Sequence, residues 1–180
     1  MFTGPLYGPP LERACTIPDN RRMKQVRRSA LVAVSRERMF DIINDVARYP
    51  EFVPWCWKSE VRSKADAEVV ATLHIRKGLL RTHFTTRNTL TPPSTVGLSL
   101  VEGSFRQFAG QWTLEPITDP EGQPLGCRVN LELNFELSGA LAGALFESVF
   151  ETAAGMLVDA FVVRARQLRE DGDVAEVATS

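Results

Sequence analysis

Residues 68 to 76 read EVVATLHIR, so that Val69, Ala71, Leu73 and Ile75 alternate with Glu68, Val70, Thr72, His74 and Arg76. A period of two with one apolar and one mostly wet face is the mark of a half-buried strand, because successive side chains of extended backbone point to opposite sides. The pattern is clearest over residues 126–137, where Val129, Leu131, Leu133 and Phe135 face one way and Arg128, Asn130, Glu132, Asn134 and Glu136 the other. It is looser over residues 24–34: Val26, Ala30, Val32 and Val34 share a side that Arg28 interrupts. Further strands are expected near residues 59–63, 80–91, 95–102 and 106–115. Alternation of this kind predicts an antiparallel sheet covered on one face only.

The cover lies in residues 141–168, where the period changes to that of a helix. Leu145, Phe146, Val149, Phe150, Ala153, Met156, Leu157, Ala160, Phe161 and Leu168 share a wide apolar arc opposite Glu147, Glu151 and Asp159. About 28 residues at ~1.5 Å each make ~42 Å of helix, enough to cross a whole curved sheet. A shorter helix is expected after Ser35, a good N-cap, with Met39, Phe40, Ile42, Ile43 and Val46 on its apolar side. Pro50 and Pro54 are then expected to stop regular helix and leave a bent connector. The order strand, short helix, six strands, long helix describes an α+β domain whose sheet grips its last helix.

Length and composition narrow this picture without changing it. At 180 residues, 44% hydrophobic and 24% charged, the chain suits one globular domain rather than two. The reading is a domain over residues 23–169, an unstructured leader over 1–22 and an acidic unstructured tail over 170–180. A start assigned too early is the alternative reading of the leader, since Met23 opens the first strand-like segment. No apolar run approaches the ~20 residues of a membrane-spanning helix. The net charge of −1 includes Glu170, Asp171, Asp173 and Glu176, so the body is slightly basic, too slightly for charge alone to argue for nucleic acid. Cys15, Cys56 and Cys127 are far apart and form no CxxC pair, which speaks for reduced thiols in a cytoplasm rather than a metal site.

Candidate chemistry is sparse. His74 and His83 share strand faces with charged residues, Cys56 has no neighbouring histidine, and the carboxylates are scattered, so no catalytic residue and no metal ligand is assigned. Binding is better represented. Ala153, Ala154 and Gly155, beside Met156, leave room for an apolar ligand or let a strand come close; both readings stand. Arg164 falls within the apolar arc, either as a ligand-orienting cation or as a snorkelling or ion-paired arginine. The stretch RKGLLR, with Leu79 and Leu80 among Arg76, Lys77 and Arg81, reads as a hairpin tip that meets a bilayer or RNA, or as a cap on the core. In RYPEFVPWCW, four rings (Tyr49, Phe52, Trp55, Trp57) and two prolines are too apolar for a solvated turn.

Four motifs in order, YPEFVPWC, FTTRN, VEGSFRQFAGQW and AFVVRA, resemble the Coq10/RatA family of the START-like, polyketide-cyclase-like superfamily, over Met23 to about Leu168. The resemblance implies a helix-grip (START/Bet v 1-like) fold. It also implies an apolar cavity that binds an isoprenoid quinone (ubiquinone-like lipid) without changing it, in support of respiration, with no other cofactor and no enzymatic activity. Carried onto this chain, Pro50, Phe52, Val53, Pro54, Trp55 and Cys56 match the cavity-edge connector. Arg87 matches the strand motif; Gly103, Phe105, Gly110 and Trp112 match the turn and next strand; Phe161 and Arg164 match the helix motif. With Met156, the non-glycine members of this set are the expected ligand-binding residues. The rings of the connector then form an apolar rim or, alternatively, a core plug. The same family offers another role, that of a RatA-type toxin binding the large ribosomal subunit and blocking subunit association. A polyketide cyclase or aromatase is a third reading and lacks a visible acid–base set. The implied partners are a quinone or other lipid, the inner-membrane surface as a peripheral contact, and the large ribosomal subunit; the implied location is cytoplasmic.

Overall fold

A computed structural model describes residues 23–139 and 144–177. The leader expected over residues 1–22, Cys15, the first residues of the last helical segment and the end of the tail lie outside the described residues. Seven strands form one antiparallel sheet: β1 (Lys24–Val32), β2 (Cys56–Ala65), β3 (Glu68–Lys77), β4 (Leu80–Thr91), β5 (Thr95–Gly103), β6 (Phe105–Thr118) and β7 (Pro124–Leu137). Their spatial order is β1-β7-β6-β5-β4-β3-β2, so every neighbouring pair from β2 to β7 is a hairpin, while β1 joins β7. The chain therefore passes from one edge of the sheet to the other between β1 and β2. Helix α1 (Arg36–Asn44), a 3₁₀ turn (Val46–Arg48) and helix α2 (Tyr49–Phe52) make that passage. Helices α3 (Ala144–Gly155) and α4 (Leu157–Val177) complete the α+β helix-grip fold.

Local chemistry accounts for these elements. The Ser35 hydroxyl accepts the Arg38 N–H at 3.2 Å and starts α1, whose Met39, Phe40, Ile42 and Ile43 are buried. Pro50 does not stop a helix. It sits in the first turn of α2, where its missing N–H has no intrahelical partner to lose. Between β3 and β4, Lys77 pairs with Leu80 and Gly78, at φ +59°, turns the chain in a two-residue loop. That loop places Leu79 at the tip, 87% exposed, while Leu80 faces the core.

Two expectations about the C-terminal segment change. The single helix expected over residues 141–168 is bent: α3 ends at Gly155, and the Met156 N–H is shared between the Thr152 and Ala153 carbonyls at 3.1 and 3.2 Å. The bend falls where the Arg28 guanidinium crosses. A Cβ on Gly155 would lie 2.9 Å from Arg28 Nη2, so glycine leaves the space that this arginine occupies on the inner side of β1. The acidic segment from residue 170 is not without regular structure, since α4 continues to Val177. Extending a formed helix fixes one residue per added hydrogen bond, which is far easier than nucleating one.

Candidate functional site

The concave face of the sheet and the two C-terminal helices enclose a cavity of about 50 Å³. The connector contributes Val46, Tyr49 and Trp55 to its wall, and α3 contributes Phe150, Ala153 and Ala154. The Trp55 indole N–H donates to the Ala153 carbonyl at 3.0 Å, which ties the connector to the helix across the cavity. Two aromatic clusters press on it. In one, Phe105 packs edge to face on Phe84 and Phe150 with centroids 5.2 and 5.0 Å apart. In the other, Phe161 lies 5.1 Å from each of Tyr49, Phe52 and Trp112. Such ring contacts add to the burial energy of each side chain.

Two polar residues interrupt this apolar wall. Phe84, Thr86, Asn88 and Leu90 take the inward positions of β4, and the Thr86 hydroxyl donates to Asn88 Oδ1 at 2.8 Å. Both are buried and both line the cavity. A polar pair in an apolar pocket orients a ligand's polar group, the usual division of labour in such sites. Sequence reasoning passed over them, although the signal is legible in the strand: within FTTRNTL, two inward positions between Phe84 and Leu90 are polar. A volume of about 50 Å³ is on the scale of a few waters, whereas pockets for organic ligands run from ~300 Å³ upwards. An isoprenoid quinone does not fit a cavity of this size.

The expected ligand residues divide. Trp55 and Trp112 line the cavity, and Phe105 stands one ring behind it. Pro50 and Pro54 are exposed, Val53 is core, and Phe52 packs on Phe161 rather than forming a rim. Cys56 is buried outside the cavity wall, and burial pushes its thiol up to about 11; burial does the same to Cys127. Phe161 is core beneath the connector. Met156 is not in the cavity: at the helix bend it is 42% exposed, with Lys77 Nζ 3.3 Å from its sulfur. Arg164 is the ion-paired arginine of the two alternatives, its Nη2 donating to Glu51 Oε2 at 3.0 Å and its guanidinium 5.6 Å over the Phe52 ring. Arg48 chiefly, with Arg164 adding, holds the Glu51 carboxyl below its usual range. Arg87 lies on the opposite, convex face, its Nε 3.1 Å from Glu68 Oε2, because Thr86 and Asn88 on either side of it point inward.

The RKGLLR hairpin also divides. Leu80 and Lys77 turn toward the helices, Leu79 projects from the tip, and Arg76 and Arg81 face outward opposite one another. Next to them the convex face carries rings whose arrangement the sequence did not reveal. Trp57 follows the buried Cys56 and faces outward, 53% exposed, with its ring 5.5 Å from His74, and a register irregularity between Cys56 and Lys58 leaves Lys58 exposed beside it. His74 in turn stacks on His83 at 5.6 Å and 29°. Among the described residues, no group of three His, Cys, Asp or Glu side chains is placed to hold a metal ion, and no helix is long and apolar enough to cross a membrane.

Comparison with known proteins follows the same lines. Residues 32–162 match the family model described as polyketide cyclase / dehydrase and lipid transport. The ribosome association toxin RatA of Pseudomonas aeruginosa is 38% identical over 143 residues, 79% of this chain and 96% of that protein. RatA of Vibrio cholerae is 46% identical over 97 residues, 54% of this chain and 67% of that protein. The mitochondrial coenzyme Q-binding protein COQ10 of Drosophila melanogaster is more distant, 31% identical over 87 residues, which cover 48% of this chain and 36% of that protein. In structure, the chain resembles the Zhui aromatase/cyclase of a Streptomyces species, with a TM-score of 0.68, 81% of this chain and 94% of that one aligned, and 18% identity, a likeness of fold alone. The chain belongs to the polyketide cyclase/dehydrase and lipid transport family, in the group that holds the RatA and COQ10 proteins.

Proposed function

We propose that this protein acts by binding the ribosome, as a RatA-type factor that engages the large subunit and hinders subunit joining. The observation that carries the reading is the extent of its likeness to RatA: 38% identity runs through 96% of the Pseudomonas protein, where the likeness to COQ10 spans 36% of that relative. The small cavity argues in the same direction, since a quinone carrier needs room for a ring and a long tail and the space is about 50 Å³. Nothing in this role calls for bond-making groups, and the buried thiols with values near 11 stay protonated at neutral pH.

The test is sedimentation of the full chain with purified ribosomes and separated subunits through a sucrose gradient. The expected result is co-migration with the large subunit and fewer joined ribosomes as protein is added. Migration at the top of the gradient at low salt would overturn the proposal.

A second reading has its own observation. The Thr86–Asn88 pair gives an apolar pocket a polar end, which suits a lipid with a polar head once the connector moves. Organic extraction and mass spectrometry of protein made in quinone-producing cells tests it: near-stoichiometric isoprenoid quinone supports the reading, and its absence removes it.

A further inference from the structure

We propose that the convex face across β2, β3 and β4 is a single-stranded RNA platform, with Trp57, His74 and His83 as its stacking rings and Arg76 and Arg81 as its phosphate contacts. The inference rests on the ribosome-binding reading for its biological partner, and on the geometry for its chemistry. Trp57, His74 and His83 form a continuous row across three adjacent strands, with centroids 5.5 and 5.6 Å apart. They flank an open depression of about 350 Å³ that Arg76 and Arg81 also line. Rings laid on a sheet surface beside cations are what unpaired bases and their backbone require, because every base has a face to stack and every linkage a charge.

The two arginines supply an independent argument. They are directly opposite across the β3–β4 pair, and among the described residues neither is ion-paired. Like charges in that position destabilise a sheet, so the pair is at its most favourable with an anion between or above its members. The neighbouring cations behave differently: Arg62 is 2.8 Å from Glu102, and Lys58 is paired with Glu60. Glu60, the carboxylate nearest the rings, is engaged by Lys58 and His74, which limits its repulsion of phosphate. A bilayer is the weaker match, because the hairpin tip offers only Leu79 while Leu80 is buried.

Trp57 is the exposed tryptophan of the three, Trp55 and Trp112 being core, so its emission is a direct reporter. Titration of the full chain with oligouridylate should quench that emission. Trp57→Ala should weaken binding, followed by anisotropy of labelled RNA, by about ten-fold or more. Arg76→Gln with Arg81→Gln should lower the slope of log K against log salt by about 1.4, at ~0.7 per single-strand phosphate contact. Circular dichroism should be unchanged in both variants, since the three side chains are exposed. Ribosome sedimentation separates the two proposals. Loss of co-migration in Trp57→Ala supports the platform; full co-migration of Trp57→Ala overturns it while ribosome binding stands. If the wild type ignores ribosomes yet binds oligouridylate through Trp57, the platform stands and the ribosomal role falls. Flotation with phosphatidylglycerol vesicles, lost in Leu79→Ser, without RNA binding, would replace RNA with a membrane and overturn the proposal.

Discussion

The concave and convex faces of this sheet are built from the same strands and differ in what they leave undone. On the concave side, Phe105, Phe150, Phe161 and Trp112 pack ring against ring, the Trp55 N–H reaches the Ala153 carbonyl, and about 50 Å³ remains. On the convex side most polar groups answer one another: Arg62 donates to Thr72, Thr72 bonds Thr85, and Thr85 donates to Glu102. Beside that closed network stand Trp57, the two stacked histidines and two arginines that face each other and have no ion-pair partner among the described residues. A side that satisfies itself is doing structural work; a side with exposed rings and facing like charges is arranged for something outside the molecule. In this protein, therefore, the family's interior cavity is the more closed region and the outer surface the more open one.

The strongest way to break that comparison is to unsettle the concave side. Phe161→Ala should cost about 3–5 kcal/mol, the usual range for deleting a buried aromatic ring, because Tyr49, Phe52 and Trp112 all lose their shared neighbour. Trp57→Ala, an aromatic deletion on the other face, should change stability by less than about 1 kcal/mol, as surface substitutions usually do. Urea unfolding of the two variants side by side measures the contrast, and equal losses would mean that Trp57 is part of the fold.

Alkaline pH probes the same interior. Cys56 and Cys127 are held near 11 by burial, above their ordinary value. Between the unfolded thiol value of ~8.5 and ~11 the unfolded chain releases protons that the native chain keeps, so the native state binds more protons and stability falls as pH rises. The expected loss is of order 2 kcal/mol per thiol, read from urea midpoints across that window. Below it the contribution is fully present. A thiol reagent at neutral pH should modify these two buried cysteines only on unfolding.

Most of the fold could be read from the chain because period and burial agree: the β4 limits expected from alternation, residues 80 and 91, are those of the strand itself. The bend at Gly155 could not, because the side chain that crosses there, Arg28, is more than a hundred residues away in the sequence. The site was less legible for the same kind of reason. Arg164 and Phe52 look like ligand residues in their motifs, yet tertiary contact gives Arg164 to Glu51 and Phe52 to Phe161. Trp57 looks like a member of the greasy connector, yet it belongs to β2, one residue past the buried Cys56, and faces outward. Thr86 and Asn88 are visible in the alternation of β4 as two polar residues at inward positions, on either side of the motif's Arg87.

A middle-sized effect sharpens the role of that pair. Replacing both partners, Thr86→Val with Asn88→Leu, removes a buried hydrogen bond without leaving half of it unpaired, so stability should stay within about 1 kcal/mol. Asn88→Leu alone should be worse, by about 1–3 kcal/mol, because the Thr86 hydroxyl then loses its acceptor. If the pair orients a lipid's head, extracted ligand falls in the double variant while ribosome sedimentation is unchanged; loss of both together would join the two faces into one site.

The smallest expected effect is the most discriminating for residue assignment. Arg87 sits in the motif FTTRN and by resemblance belongs with the ligand, but its guanidinium lies outside, 3.1 Å from Glu68, with both side chains about half exposed. An exposed ion pair of this kind contributes at most about 1 kcal/mol and less at high salt. Arg87→Ala should therefore shift the urea midpoint slightly, by an amount that shrinks as salt is added, and should leave any copurified lipid unchanged. Because Arg87 is on the convex face, the same variant should be tested for RNA. A modest, salt-dependent weakening would extend the platform along β4, and an unaltered titration would confine it to the row from Trp57 to His83. Loss of lipid in Arg87→Ala with the fold intact would instead mean that the strand's inward and outward positions are exchanged, since Arg87 cannot face the cavity while Thr86 and Asn88 do.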